Sequence, residues 1–149
     1  MKYIKKKLEI EKVSVQNIAK RYGTPVYCYS YSQLKKNINN FKKNFKSFSP
    51  LICFAVKSNN NINLIKQIQK FGLGADVVSI GELMLAIKAG ISPKKIVFSG
   101  VGKTSNEISY AIDKKILLIN AESKSEILEI ERIAKLKNKK IQIGIRLNP

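Results

Sequence analysis

The sequence predicts an α/β fold, namely the first five strands of a (β/α)8 barrel of the TIM type. From residue 51 onward, short apolar runs alternate with amphipathic helical patterns. Continuous apolar strands joined by helices are typical of a parallel sheet with right-handed crossovers. A closed barrel needs eight strands and more residues than this chain has. We therefore expect the 149 residues to end before the barrel closes.

Ahead of those units, the N-terminal part predicts two helices and one strand. Ser14 is a candidate cap for a short helix that ends at Gly23. The run 26–29 follows Thr-Pro and predicts a strand. A lysine-rich helix comes next, and Pro50 ends that connection. Its apolar residues lie at helical spacing: Leu34, Ile38, Phe41 and Phe45.

The rest of the chain predicts four strand–helix units and a last strand. The predicted strands are 51–56, 74–78, 95–98, 115–119 and 141–146. The predicted helices are 61–71, 80–89, 104–113 and 123–136. Three of these helices open with Ser/Thr-x-x-Glu, a pattern in which hydroxyl and carboxylate satisfy free backbone amides reciprocally. The three pairs are Ser79-Glu82, Thr104-Glu107 and Ser123-Glu126.

The composition is that of a globular protein with a strongly basic charge balance. Lysine and arginine number 28 against 10 acidic residues, which gives a net charge of +18. The lysines are spread along the chain, and the dense clusters, 5–7 and 137–140, are short. A nucleic-acid-binding surface would cluster basic residues and interleave aromatic ones. We therefore expect no nucleic-acid partner, although nucleic-acid binding stays a rival hypothesis that steep salt dependence would reveal.

Neither a metal site nor a membrane segment is predicted. Cys28 and Cys53 are far apart, and the chain has no histidine, which argues against zinc and redox motifs. Both cysteines lie in apolar runs and are expected to pack as small hydrophobic side chains. The basic N-terminus lacks a signal-peptide core, and no apolar run reaches membrane-spanning length. We expect a cytoplasmic protein.

Two glycine-rich segments resemble nucleotide-binding motifs but fail on spacing. Segment 99–104 ends in Gly-Lys-Thr, yet Val97 stands where a P-loop needs its first glycine. Segment 72–77 lacks the last glycine of a dinucleotide fingerprint and precedes a strand instead of following one. Both are expected to form tight turns next to a ligand or a neighbouring helix.

Lys57 is the strongest candidate for chemistry because it ends the apolar run 51–56. That run predicts a strand buried on both faces, and barrel enzymes place their chemistry at the carboxyl ends of strands. A lysine held there and partly removed from water can act as an amine nucleophile and form a Schiff base. The alternative, a lysine whose amine only reaches solvent, is common in so basic a chain.

Five segments carry a resemblance to a known family. They are 22–27 (YGTPVY), 54–59 (FAVKSN), 74–83 (GADVVSIGEL), 96–104 (IVFSGVGKT) and 145–149 (IRLNP). In order and spacing they resemble the diaminopimelate decarboxylase family of pyridoxal-phosphate-dependent enzymes, from about residue 14 almost to the end. The third and fourth segments are the most specific. Ornithine- and arginine-type decarboxylases share the lysine but diverge in the fourth segment.

The resemblance implies roles for individual residues. Lys57 would be the lysine that holds pyridoxal 5'-phosphate, and Asp76 and Glu82 would lie close to it. Glu82 could serve equally as the capping residue of its helix. Arg146 would reach the hydroxyl side of the cofactor. The loop 99–103 would line the mouth of the site, with Lys103 a weak candidate for direct contact; Ala55, on the same side of the strand as Lys57, would leave room for the cofactor ring.

The resemblance also implies the reaction, which is decarboxylation of meso-2,6-diaminopimelate to lysine. The family's phosphate-binding loops, its C-terminal β domain and most of its homodimer interface would lie beyond residue 149. We therefore expect this chain to be the N-terminal portion of such an enzyme, inactive alone, with an N-terminal segment over 1–30 and an incomplete barrel over 31–149. The open alternatives are a decarboxylase of a related basic amino acid, and a non-catalytic scaffold that binds a full-length partner.

Overall fold

The structure, a computed structural model, describes residues 2–4 and 7–147. Its contacts divide the chain into two units, Met1–Pro50 and Leu51–Pro149. Lys5 and Lys6 of the first basic cluster lie outside the described residues. So do Asn148 and Pro149, which close the last family-like segment.

The first unit begins with three antiparallel strands that the sequence analysis did not predict. They are β1 (Lys2–Ile4), β2 (Lys7–Ile10) and β3 (Val13–Ser14), in the order β1-β2-β3. Glu11 and Lys12 connect the last two strands, and both have positive φ (52° and 69°). Positive φ at both central residues is the requirement of the tight hairpin turn whose twist matches the flanking strands.

Two helices follow in this unit, α1 (Val15–Tyr22) and α2 (Tyr31–Asn44). The predicted end of α1 is confirmed, because Gly23 follows it with φ 79°. The predicted cap is wrong in part: Ser14 occupies the N-cap position, but its side chain makes no capping hydrogen bond. Ser14 is also the last residue of β3, where it pairs with Glu9. In α2, Ser30 caps the helix by accepting a hydrogen bond from the amide of Gln33 at 3.1 Å.

The strand predicted over 26–29 is wrong. This run has no regular secondary structure, and no described strand pairs with it. A strand is held by hydrogen bonds to a neighbour, so β-forming residues alone do not make one. Cys28 lies in this run and is exposed, which also corrects its predicted packing as a small hydrophobic side chain.

The second unit is a parallel five-stranded sheet with four helices, which confirms the predicted fold class. The strands are β4 (Cys53–Ala55), β5 (Gly74–Val77), β6 (Ile96–Phe98), β7 (Leu118–Ala121) and β8 (Ile143–Ile145), in the order β4-β5-β6-β7-β8. The helices are α3 (Ile62–Lys70), α4 (Ile80–Lys88), α5 (Ser105–Lys114) and α6 (Lys124–Leu136). Sequential strand order with parallel pairing is the winding of a barrel.

One strand begins later than predicted. The expected strand 115–119 is found at Leu118–Ala121, because Lys115 ends α5 in the left-handed region at φ 54°. Pattern alone does not reveal that the chain must turn at Lys115 before it can pair.

The core lies between the sheet and the four helices. Alternate strand residues are fully buried on this side, including Ala75, Val77, Ile96, Phe98, Ile119 and Ala121. The residues between them, among them Asp76, Val97 and Asn120, are only half-buried. The expectation that the run 51–56 is a strand buried on both faces is wrong, because Cys53, Phe54 and Ala55 are each half-buried. The helices cover one face of the sheet, and the other carries the candidate site. Within the described residues, no helix has the length and apolar character needed to cross a membrane.

Candidate active site

Lys57 lies at the carboxyl end of β4, where the chain makes a single 3-10 turn over Val56–Ser58. Ser58 Oγ donates to the carbonyl of Ala55 at 2.7 Å and closes this turn. Val56 is fully buried while Lys57 is exposed. The turn therefore anchors the backbone through Val56 and leaves the amine free. It also corrects one expectation, because Lys57 is not part of the strand and strand alternation does not relate its direction to that of Ala55.

Asp76 lies on the neighbouring strand β5, in register with Ala55. Its side chain is half-buried on the face that the helices do not cover. Asp76 Oδ1 accepts a hydrogen bond from Ser99 Oγ at 2.6 Å. Ser99 Oγ in turn accepts one from Asn120 Nδ2 at 3.0 Å. Asp76 in β5, Ser99 directly after β6 and Asn120 in β7 thus form a continuous hydrogen-bonded row.

The next strand leaves room for this row. Gly144 in β8 is in register with Asn120, and a Cβ at Gly144 would lie 2.3 Å from Asn120 Oδ1. Any side chain there would push the Asn120 amide away from Ser99. At the opposite end, Cys53 lies on the same face of β4; burial raises the pKa of its thiol, and the charge of Asp76 raises it further.

Arg146 directly follows β8 and is exposed. Its amide donates to the carbonyl of Ala121 at 3.0 Å, which continues the strand pairing. Its guanidinium lies 3.4 Å from the carboxylate of Glu122, at the carboxyl end of β7. Lys57, Asp76 and Arg146 therefore all lie at the carboxyl end of the sheet: Asp76 lies on β5, Lys57 follows β4 and Arg146 follows β8.

The loop after β6 approaches the loop after β5 closely. A Cβ on Gly100 would lie 2.2 Å from the carbonyl oxygen of Val78, so only glycine fits there. Lys103 does not line the mouth of the site as expected. Its side chain is 1% exposed, and its ammonium lies 2.8 Å from Glu126 Oε1 and 2.7 Å from the carbonyl of Asn120. Lys103 therefore holds the backbone of Asn120, and its amine is not available to a ligand.

The three glutamates of the helix starts are used in different ways. Glu107 alone forms the full reciprocal cap with Thr104, and its other oxygen accepts from the amide of Ile80 at 3.1 Å. These amide donors, led by that of Thr104, lower the pKa of Glu107. In the other two helices the hydroxyl caps as predicted, but the carboxylate accepts from the amide one residue earlier. Glu82 takes that of Val78 at 2.9 Å, and Glu126 takes that of Glu122 at 2.7 Å.

Sequence reasoning missed Ser99 and Asn120. Ser99 lay within a segment that was noted for its glycines, and Asn120 within a strand predicted to end one residue earlier. A usable signal was present: Asp76, Ser99 and Asn120 are polar residues at the ends of successive strands, and such ends share one edge of a parallel sheet. Among the described residues no group of three or more His, Cys, Asp or Glu side chains is placed to hold a metal ion.

The comparisons with known proteins agree on one family. Residues 31–149 match the family model for the pyridoxal-binding domain of pyridoxal-dependent decarboxylases. The diaminopimelate decarboxylase of Aquifex aeolicus is 45% identical over 149 residues, which are 100% of this chain and 35% of that protein. The chain thus spans about a third of the length of the curated relatives it matches.

Solved structures give the same picture. The crystal structure of diaminopimelate decarboxylase from Helicobacter pylori complexed with L-lysine has 42% identity and a TM-score of 0.86, over 90% of this chain and 34% of that one. The arginine decarboxylase of Paramecium bursaria Chlorella virus is more distant, with 25% identity and a TM-score of 0.72, over 91% of this chain and 36% of that one.

Proposed function

This chain belongs to the family of pyridoxal-dependent decarboxylases, and from that premise we propose that the protein carrying it converts meso-2,6-diaminopimelate to L-lysine. Pyridoxal 5'-phosphate is the cofactor of the family, and we propose that Lys57 holds it. The observation that carries the proposal is the 45% identity to a diaminopimelate decarboxylase across all 149 residues.

The residues present fit the cofactor. Its aldehyde requires a primary amine, and Lys57 offers an exposed one at the carboxyl end of a barrel strand. Its ring requires space, and Ala55 and Gly144 keep side chains small at two positions on the open face of the sheet. Asp76 and Arg146 supply charges of opposite sign at the same edge.

The chemistry divides between cofactor and protein. Pyridoxal phosphate, when bound, supplies an electron-accepting ring for the electron pair left as the carboxylate departs as carbon dioxide. Lys57 Nζ would hold that group at the end of β4. The carboxylate of Asp76, on the neighbouring strand, would supply a negative charge beside the bound group. Arg146, held near Glu122 at 3.4 Å, would orient the opposite side of the site.

The substrate assignment follows the relatives. A diaminopimelate decarboxylase with bound L-lysine shares 42% identity with this chain, against 25% for an arginine decarboxylase. Lysine is the product expected of diaminopimelate decarboxylation. The second candidate is a decarboxylase of a related basic amino acid, because the chain is also similar to an arginine decarboxylase. Carbon dioxide release from each substrate distinguishes the two.

Several further expectations belong to this proposal. We propose that the natural gene product works in the cytoplasm as a homodimer, and that residues 1–149 alone are inactive. The division into a segment over 1–30 and an incomplete barrel over 31–149 also stays a prediction. An intact mass well above 16.8 kDa for the natural product would support the view that these residues are one portion of the enzyme.

The test is carbon dioxide release by the natural gene product that carries this sequence. We expect turnover of meso-2,6-diaminopimelate and none of ornithine or arginine. Lys57→Ala should abolish turnover, whereas Lys66→Ala, which removes an exposed amine from α3, should leave it unchanged. Turnover in the Lys57→Ala protein would contradict the assigned role of Lys57. Turnover of arginine or ornithine in preference to diaminopimelate would favour the second candidate.

A further inference from the structure

The hydrogen-bonded row across β5, β6 and β7 has a direction. The carboxylate of Asp76 can only accept, so the hydroxyl of Ser99 must donate its single proton to Oδ1, at 2.6 Å. A lone pair of Ser99 Oγ then remains to accept from an N–H group. Asn120 Nδ2 supplies that group at 3.0 Å. The order of donation is therefore Asn120 to Ser99 to Asp76.

At the far end of the row, the backbone of Asn120 is held in place and its side chain has room. Its backbone carbonyl oxygen accepts a hydrogen bond from the buried ammonium of Lys103 at 2.7 Å. Its Oδ1 faces Gly144, where no side chain intrudes. Its backbone pairs in register with Gly144 in the sheet. Turning the side-chain amide of Asn120 would break its hydrogen bond to Ser99 Oγ.

At the near end, only one oxygen of Asp76 is used. Oδ2 accepts no hydrogen bond from the described residues, whereas Oδ1 is occupied by Ser99. The titratable groups of the neighbouring β4 segment are Cys53 and Lys57, and Glu82 lies in the first turn of the helix that follows β5. On the other side, Ser99 and Asn120 are neutral. Asp76 Oδ2 is thus the free oxygen of this carboxylate. The register partner of Asp76 is Ala55, which lies two residues before Lys57.

We propose that Ser99 is a positioning residue that fixes the carboxylate of Asp76, with Asn120 as its support, so that Oδ2 is presented to Lys57 and its bound cofactor. This inference rests on the proposed function. It goes beyond that function because it assigns roles to two residues that do not themselves touch the reacting atoms.

The experiment uses the natural gene product loaded with pyridoxal phosphate. Two quantities are measured besides activity: the equilibrium affinity for the cofactor, and the pH midpoint at which the visible band of the Lys57–cofactor linkage changes. The negative charge of Asp76, when held towards the Lys57–cofactor linkage, favours the protonated form of the linkage nitrogen. Ser99→Ala should therefore lower the pH midpoint, by about one pH unit. Loss of one hydrogen bond to a charged group should weaken cofactor affinity about tenfold.

Three further variants make the result specific. Ser99→Thr keeps the hydroxyl and should restore both quantities towards wild type. Asn120→Ala leaves the Ser99 hydroxyl free to rotate and should shift both in the same direction as Ser99→Ala, by less. Ser92→Ala removes an exposed hydroxyl that makes no capping bond, and should change neither. Thermal unfolding of each variant identifies any that fail to fold.

The outcomes separate the two proposals. If wild type shows no visible band that depends on Lys57, the proposed function fails, and this inference fails with it. If wild type shows the band but Ser99→Ala keeps its midpoint and affinity, only the role of Ser99 is overturned. If Ser99→Ala does not fold, Asn120→Ala decides, and a wild-type midpoint in that variant overturns the proposal.

Discussion

Lys103 and Glu126 show how a single pair of residues can hold several loops together. Their side chains are 1% and 8% exposed, and their charged atoms lie 2.8 Å apart. The same ammonium contacts the carbonyl of Asn120, and the same carboxylate accepts the amide of Glu122. Replacing both partners of a buried ion pair by apolar residues changes the stability of a protein little. Removing one partner is strongly destabilising, because the other charge stays buried and unpaired. The pair therefore acts by fixing geometry at the carboxyl edge.

A double-mutant cycle tests this description. Lys103→Met should lower the free energy of unfolding by about 3 kcal/mol, because it leaves Glu126 buried without its cation. Adding Glu126→Gln removes the stranded charge, so the double variant should be less destabilised than the sum of the single variants. Chemical denaturation of the natural gene product measures all three. Strictly additive effects would contradict the coupling.

The same residues show where sequence reasoning succeeds and where it ends. Lys57 could be predicted because a buried strand and its carboxyl end are visible in the pattern. Lys103 could not, because a pattern does not say whether a lysine in a loop turns outward or inward to a carboxylate 23 positions away. Ser99 and Asn120 likewise acquire their meaning only from strand register.

Among the elements, helices were predicted more closely than strands. Helix α4 was expected over 80–89 and is found at Ile80–Lys88, because a serine cap and helical periodicity define its start and its buried face. The run 26–29 has β-forming residues but pairs with no described strand, and the three N-terminal strands were missed. Strand formation depends on a neighbour that is distant in sequence, whereas helix signals are local.

Helices α5 and α6 are connected by a charged cluster at their C-terminal ends. Asp113 in α5 lies 2.7 Å from both Lys137 and Lys139, which follow α6. Hydrogen bonds from these two lysines lower the pKa of Asp113 from 3.8 to about 2. A carboxyl whose pKa is lower in the folded state stabilises the fold when the pH is above its unfolded-state pKa. That stabilisation is lost as the pH falls through the folded-state pKa.

This cluster predicts a pH dependence of stability. Asp113→Asn should lower the melting temperature slightly at neutral pH, and the difference from wild type should vanish as pH falls from about 3.8 to about 2. Glu131→Gln is a suitable control, since Glu131 forms its ion pair with Lys135 inside the same helix. Thermal unfolding across this pH range measures both. A difference that persists unchanged at pH 2 would contradict the role of the Asp113 carboxylate.

At the scale of the whole chain, the sheet has an open edge. β8 pairs with β7 and with no other described strand, and its residues Ile143 and Ile145 are 40% and 65% exposed. Next to it, α6 and β8 border a groove of about 760 Å³ lined in part by Ile127, Ile130 and Ala134. An exposed apolar edge strand is a template for pairing with another chain.

Residues 1–149 expressed alone should therefore self-associate through β8. The exposed backbone of β8 can form hydrogen bonds with a second strand, and burial of its isoleucine side chains would stabilise that contact. Ile145→Lys places a charge on this strand and should shift the population towards monomer, since a charged edge opposes strand addition. Met84→Lys is the matched control, because Met84 is 46% exposed on α4, away from the sheet edge. Sedimentation velocity at several concentrations measures the distribution, and equal association of both variants would show that the β8 edge is not the contact.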